Sequence, residues 1–70
     1  MTKIEASMAG NLWKVLKQIG DKVETGEEVA ILESMKMEIP VESETGGEIK
    51  AVLKEEGEFV NEGDALFEIE

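Results

Sequence analysis

Very few residues in this chain can do chemistry. There is no cysteine and no histidine. Their absence removes disulfides, thiolate metal sites and a cysteine nucleophile, together with the usual general base and metal ligand. An autonomous enzyme is not expected from such a set. The seventeen acidic residues could in principle hold calcium or magnesium, but no spaced Asp/Asn loop around a glycine is present. They read as dispersed surface charge, and no metal site is assigned. Among the seven lysines one stands apart: Lys36, between two methionines in Glu33-Ser34-Met35-Lys36-Met37-Glu38. A lysine amine becomes a nucleophile when it is desolvated or set beside another cation, yet the nearest sequence neighbours here are Glu33 and Glu38. The chain therefore presents this amine without activating it. Met35 and Met37, on opposite sides of a strand, cannot both be core; an exposed thioether suits adaptive contact with several partners. The plain alternative is that Lys36 is one surface lysine among seven and that Glu33 and Glu38 are solvated strand-end acids.

Seventy residues make one domain, residues 1–70. A chain this short buries only about 60% of the surface it exposes when unfolded, so its core must be simply wound. The net charge of −10, with lysine as the sole basic residue type, argues against nucleic acid and anionic membrane as partners. Acids spread along the chain suit a solvated surface; complementarity to a basic partner enzyme is the sharper reading. No apolar run approaches the ~20 residues that span a bilayer, and the N-terminus has no signal-peptide pattern. A cytoplasmic location is expected.

The elements that must position Lys36 are written twice. Shifted by 37 positions, residues 4–33 lie over 41–70 without a gap. Gly10/Gly47, Gly20/Gly57, Gly26/Gly63, Val23/Val60 and Leu16/Leu53 are among the identities. Gly20-Asp21 and Gly57-Glu58 mark one turn of each copy, and Gly26-Glu27 and Gly63-Asp64 the next. The short stretches between them suit strands and are too short for stable helices. Apolar pairs three apart, such as Val29 with Leu32 and Leu66 with Ile69, predict strands whose alternation is reset by a bulge. Two half-domains that cannot close a core alone should pack about a pseudo-twofold axis. The predicted fold is all-β, a flattened barrel or sandwich of two four-stranded antiparallel sheets. Its predicted core is wholly aliphatic: Ile4, Leu12, Val15, Val23, Val29, Leu32, Val41, Ile49, Val52, Val60, Leu66 and Ile69. Trp13, opposite Lys50 in the repeat, is placed on the rim or outer face.

The segment from Glu33 to Val41 joins the copies and has no equivalent inside either. By pseudosymmetry it is a hairpin remote from the chain ends, with Met35-Lys36 at its tip. Neither residue is favoured in a tight hairpin turn, which prefers Asn-Gly or Asp-Gly, so something other than folding set their identity.

Glu33-Ser34-Met35-Lys36-Met37 resembles the Glu-Ala/Ser-Met-Lys-Met signature of the biotinyl/lipoyl carrier family, and the glycine spacing of both halves is similar to that family throughout. The resemblance implies a barrel-sandwich hybrid that carries biotin on Lys36. Glu33, Met35 and Met37 would be read by the modifying ligase or by later partners. A biotin protein ligase would attach the group. The carrier would then shuttle carboxylate between biotin carboxylase and carboxyltransferase sites, acetyl-CoA carboxylase being the first expectation. Three departures accompany it. Ser7 stands where many biotinyl domains have proline, no inserted thumb interrupts the copies, and no Pro/Ala-rich linker leads in. The last two imply a minimal carrier, either stand-alone or cut from a longer subunit. A lipoyl carrier, which would take lipoate on the same lysine, typically shows Asp-Lys-Ala there, so Met-Lys-Met favours biotin. An unmodified assembly domain of this fold would have no reason to keep a lysine between two methionines at the junction.

Overall fold

The computed structural model describes residues 2–70, and every regular element in it is a strand. In chain order these are β1 (Thr2–Glu5), β2 (Gly10–Val15), β3 (Lys22–Val23), β4 (Glu28–Ser34), β5 (Met37–Glu42), β6 (Gly47–Val52), β7 (Phe59–Val60) and β8 (Ala65–Ile69). They form two antiparallel four-stranded sheets, ordered β1-β8-β6-β3 and β5-β4-β2-β7, the architecture expected from the sequence. Moving 37 residues along the chain turns β1, β2, β3 and β4 into β5, β6, β7 and β8, and so turns one sheet order into the other. Each sheet takes two strands from each half, so neither half has a sheet of its own. Single hydrogen bonds show the same interlocking. The Gly20 N–H donates to the Ile49 carbonyl and the Gly57 N–H to the Leu12 carbonyl, both at 2.8 Å.

Bulges explain the three-residue apolar spacing. Trp13 and Val29 are extra residues in β2 and β4, and Lys50 and Leu66 are their equivalents in β6 and β8. An extra residue resets the alternation of a strand. Val29 and Ala30 are consequently both buried, and Leu32 after them; Leu66, Phe67 and Ile69 repeat the pattern. Ten of the twelve predicted core residues are buried. Val15 and Val52 are corrections: each is the last residue of its strand, and each packs against the core while only partly covered. Ala6, Ala30 and Phe67 complete the interior, so it is not wholly aliphatic; Phe67 is its largest fully buried side chain.

Four turns of one design tie the strands together: Gln18–Asp21, Glu24–Glu27, Glu55–Glu58 and Asn61–Asp64. In each, the third residue is a glycine with φ between 84° and 95°, the backbone a type II turn requires at that place. The fourth residue closes the turn twice. Its N–H donates to the carbonyl of the first residue, and its carboxylate accepts the N–H of the first residue. Asp21, Glu27, Glu58 and Asp64 are thus structural acceptors, which corrects their reading as dispersed surface charge. Glu27 also pairs with Lys17. The Lys17 ammonium, and after it the Glu24 N–H, hold the Glu27 carboxyl below the usual carboxylate range. The Glu27 carboxylate in turn raises Lys17.

Candidate functional site: the lysine hairpin

β4 and β5 pair in a six-rung ladder from Glu28↔Glu42 to Ser34↔Met37. Only Met35 and Lys36 remain to close it. Twisted strands joined by two residues need a primed turn, and its commonest form requires positive φ at both central positions. Met35 has φ 52° and Lys36 φ 64°, and they are the only non-glycine residues with positive φ among those described. Left-handed backbone costs a residue with a Cβ roughly 1–2 kcal/mol. The turn is therefore held in place by the ladder behind it and not by its own residues.

The tip is an amine in water. Lys36 is exposed and takes part in neither ion pair among the described residues, which join Lys17 to Glu27 and Lys50 to Glu48. Met35 is 88% exposed and Met37 58%. Their expected placement on opposite sides of one strand is corrected: Met35 lies in the turn and Met37 opens β5, and neither reaches the core. One rung below Ser34↔Met37, Glu33 stands directly opposite Glu38, both exposed. Like charges in such a pair are destabilising, and the ladder carries a second such pair, Glu28↔Glu42, at its other end. The four residues singled out in the sequence, Glu33, Met35, Lys36 and Met37, thus occupy the last two rungs and the turn.

The stem is packed closely. A Cβ on Gly10 would come 2.8 Å from the Glu33 carbonyl oxygen and 3.3 Å from the Ser34 Cβ, so only glycine lets β2 approach the hairpin there. The sequence showed Gly10 as a repeat identity, but this long-range contact had no local signal. At the far end of the molecule a Cβ on Gly47 would come 2.6 Å from the Glu70 carbonyl oxygen, and Thr2 pairs with Ile69. The chain runs along β5 from the tip toward Gly47, so the length of a strand separates Lys36 from residues 2 and 70.

An interlocked pair of four-stranded sheets with an exposed lysine on a primed turn defines a domain that presents one amine at the end of a stiff hairpin. The sequence pattern of the family described as "Biotin-requiring enzyme" matches residues 2–69, and the chain belongs to that family as one of its biotin carrier domains. It is 59% identical over 66 residues to the biotin/lipoyl attachment protein of Bacillus subtilis, an alignment covering 94% of this chain and 90% of that protein. It is 46% identical over 67 residues to the pyruvate carboxylase of the same organism, covering 96% of this chain but 6% of the enzyme. The crystal structure of Kluyveromyces lactis urea carboxylase superposes with a TM-score of 0.89 at 32% identity, over 97% of this chain and 6% of that one.

Proposed function

We propose that Lys36 is the biotin attachment residue and that the domain carries carboxylate between the biotin carboxylase and carboxyltransferase sites of a biotin-dependent carboxylase. One observation carries this reading. The hairpin holds two non-glycine residues in left-handed backbone, and the result is a free lysine amine at the most protruding point of the strand pair. A biotin protein ligase would supply biotinyl-adenylate. Lys36 Nζ, after losing a proton to the ligase, attacks the acyl carbon; the amide C–N bond forms, the C–O bond to the phosphate breaks, and AMP leaves. Attached biotin supplies the group on which carboxylate travels. The chain's own share is presentation. Tethering to a rigid stem raises the local concentration of that group in each active site. The domain is thus a non-catalytic element of the carboxylase.

Acetyl-CoA, the acceptor expected from the sequence, is one of a set that the relatives' names extend to pyruvate and urea. Lipoate on the same lysine is the second reading, favoured by the double name of the Bacillus subtilis relative. The test is incubation with purified biotin protein ligase, biotin and ATP, then intact mass and peptide mapping. Wild type should gain one biotin at Lys36, and Lys36→Arg should stay folded and gain none. Biotin in the arginine variant at a comparable rate, or at another lysine in the wild type, would end the assignment. Lipoate loading by a lipoate ligase in the parallel reaction, without biotin loading, would select the second reading.

A further inference from the structure

The 37-residue relation lets the outer face of one sheet act as a control for the other. On the sheet that bears the hairpin, Trp13, Ile31, Pro40 and Phe59 occupy outward positions. Their equivalents on the second sheet are Lys50, Glu68, Lys3 and Lys22. The backbone is the same in both places, down to the bulge that carries Trp13 on one sheet and Lys50 on the other. Four apolar residues thus stand where the second sheet has four charged ones. Lys14, opposite Ile31 and with its ammonium 5.5 Å from the centre of the Trp13 ring, runs the other way, its equivalent being Ala51. Trp13 is 42% exposed and Phe59 61%. The fold does not require them there, because the matching strands form with lysine.

The charges are also distributed differently. The second sheet compensates its own: Lys3 stands opposite Glu68, Lys22 opposite Glu48, and the Lys50 ammonium lies 3.3 Å from Glu48. On the hairpin sheet Glu33 and Glu38 face each other, and neither has a lysine partner among the described ion pairs. The row runs on through Asn11 to Phe59. The acid pair stands next to the rung that closes on the turn, and the apolar pair Ile31↔Pro40 two rungs further down, beside Lys14 and Trp13.

We propose that this outer face docks the enzyme that acylates Lys36. The complementary surface would be an aromatic-accepting apolar recess bordered by arginine or lysine side chains that meet Glu33 and Glu38. The inference rests on Lys36 as the attachment residue. A ligase must choose one amine among seven before any prosthetic group exists to be recognised, and the tip itself offers only two flexible thioethers. A rigid face on the same sheet supplies the missing surface. Its aromatic residues would carry the affinity, and its acids would set orientation and encounter rate. Partners that act later can be reached by the long lysyl arm and need this face less.

The control within the fold also supplies the variant. Trp13→Lys/Phe59→Lys places on this face the residues that the other carries at the same positions, and Trp13→Gln/Phe59→Gln repeats the test without added charge. Thermal midpoints verify folding. With purified ligase and varied carrier, both double variants should raise KM for biotinylation at least about tenfold with kcat little changed. Lys22→Gln/Lys50→Gln on the opposite face should match wild type. Glu33→Gln/Glu38→Gln should raise KM and lower its salt dependence. Wild-type KM in both aromatic variants would overturn the proposal. Normal biotinylation with impaired carboxylase turnover would overturn it in favour of a carboxylase. A wild-type dimer dispersed by the same variants would overturn it in favour of a second copy of this chain. A wild type that takes no biotin at Lys36 would instead refute the attachment reading, and the docking proposal with it.

Discussion

Met35→Asn/Lys36→Gly should make the protein more stable and useless as a carrier. The two residues hold φ 52° and 64°, a region that costs roughly 1–2 kcal/mol for each residue with a Cβ. The turn therefore stores roughly 2–4 kcal/mol. Asparagine tolerates this backbone through local hydrogen bonding, and glycine meets no steric cost. Part of the relief is returned, because glycine adds roughly 0.4–1 kcal/mol of conformational freedom to the unfolded chain. No packing is lost, since Met35 is 88% exposed and Lys36 is exposed as well. The net gain expected is about 1–2 kcal/mol. In a domain of this size 1 kcal/mol moves the midpoint by about 4–8 °C, so Tm should rise by roughly 5–15 °C. Circular dichroism melts and urea titrations measure it, and an unchanged m-value would show that the denatured state is not the cause. Lys36→Arg keeps the same backbone demand and should stay within about 0.5 kcal/mol of wild type. A midpoint that is unchanged or lowered in the double variant would refute the claim that this turn is strained. The argument that function, not folding, set its residues would then fall too.

Valine at Gly20 or Gly57 should cost about 1–3 kcal/mol through the backbone alone, because both hold positive φ and nothing lies within 4 Å of a Cβ at either; urea midpoints at the wild-type value would contradict this. Gly10→Ala should destabilise by about 1–3 kcal/mol for the opposite reason, a clash 2.8 Å from the Glu33 carbonyl oxygen, and should also slow biotinylation by displacing the stem, which ligase kinetics would show. Glu27 has a lowered pKa in the folded state, so its contribution to stability is present above the ordinary carboxylate range and is lost as pH falls through the lowered value. Lys17 is raised, so its contribution is present below the ordinary lysine range and is lost as pH rises through the raised value. Glu27→Gln should therefore flatten both the acid and the alkaline limb of Tm against pH, and a profile parallel to wild type would count against the pair.

Much of this architecture is written locally. Glycines at 20, 26, 57 and 63 divide the chain into strand-sized pieces, and the constant 37-residue offset between them shows that the pieces come in matching sets. The tip is legible because it is where the matching stops, and a two-residue loop between twisted strands leaves few turn types open. Phe67 was missed for a physical reason. Leu66, Phe67 and Ile69 are all apolar, so pattern alone cannot say which residue the bulge inserts or which side chains then point inward. Val15 and Val52 show the reverse error: their spacing is right, but they close their strands where cover runs out. The turn carboxylates had a visible signal, an acid directly after each of the four glycines. Their role as acceptors of a backbone N–H three residues earlier was hidden behind the general acidity of the chain.

The duplicated fold separates what the scaffold needs from what the carrier does. Where equivalent positions agree, a folding reason is at hand. Gly10 and Gly47 permit close approach, the four turn glycines supply positive φ, and Leu12 and Ile49 or Val29 and Leu66 fill the interior. Where they disagree at equal exposure, folding offers no choice between them, as with Trp13 against Lys50 and Phe59 against Lys22. The hairpin tip has no equivalent inside either copy, and among the described residues it is the one place where non-glycine residues hold left-handed backbone. A small domain has roughly 5–15 kcal/mol of stability in all. A turn that stores roughly 2–4 kcal/mol, set above an opposed Glu33–Glu38 pair, is a large fraction of that. Such a turn persists only because six rungs of β4–β5 pairing and the close packing of Gly10 leave it no room to relax. The same restraint fixes where the amine of Lys36 stands, so the device that tolerates the strain is also the one that presents the lysine.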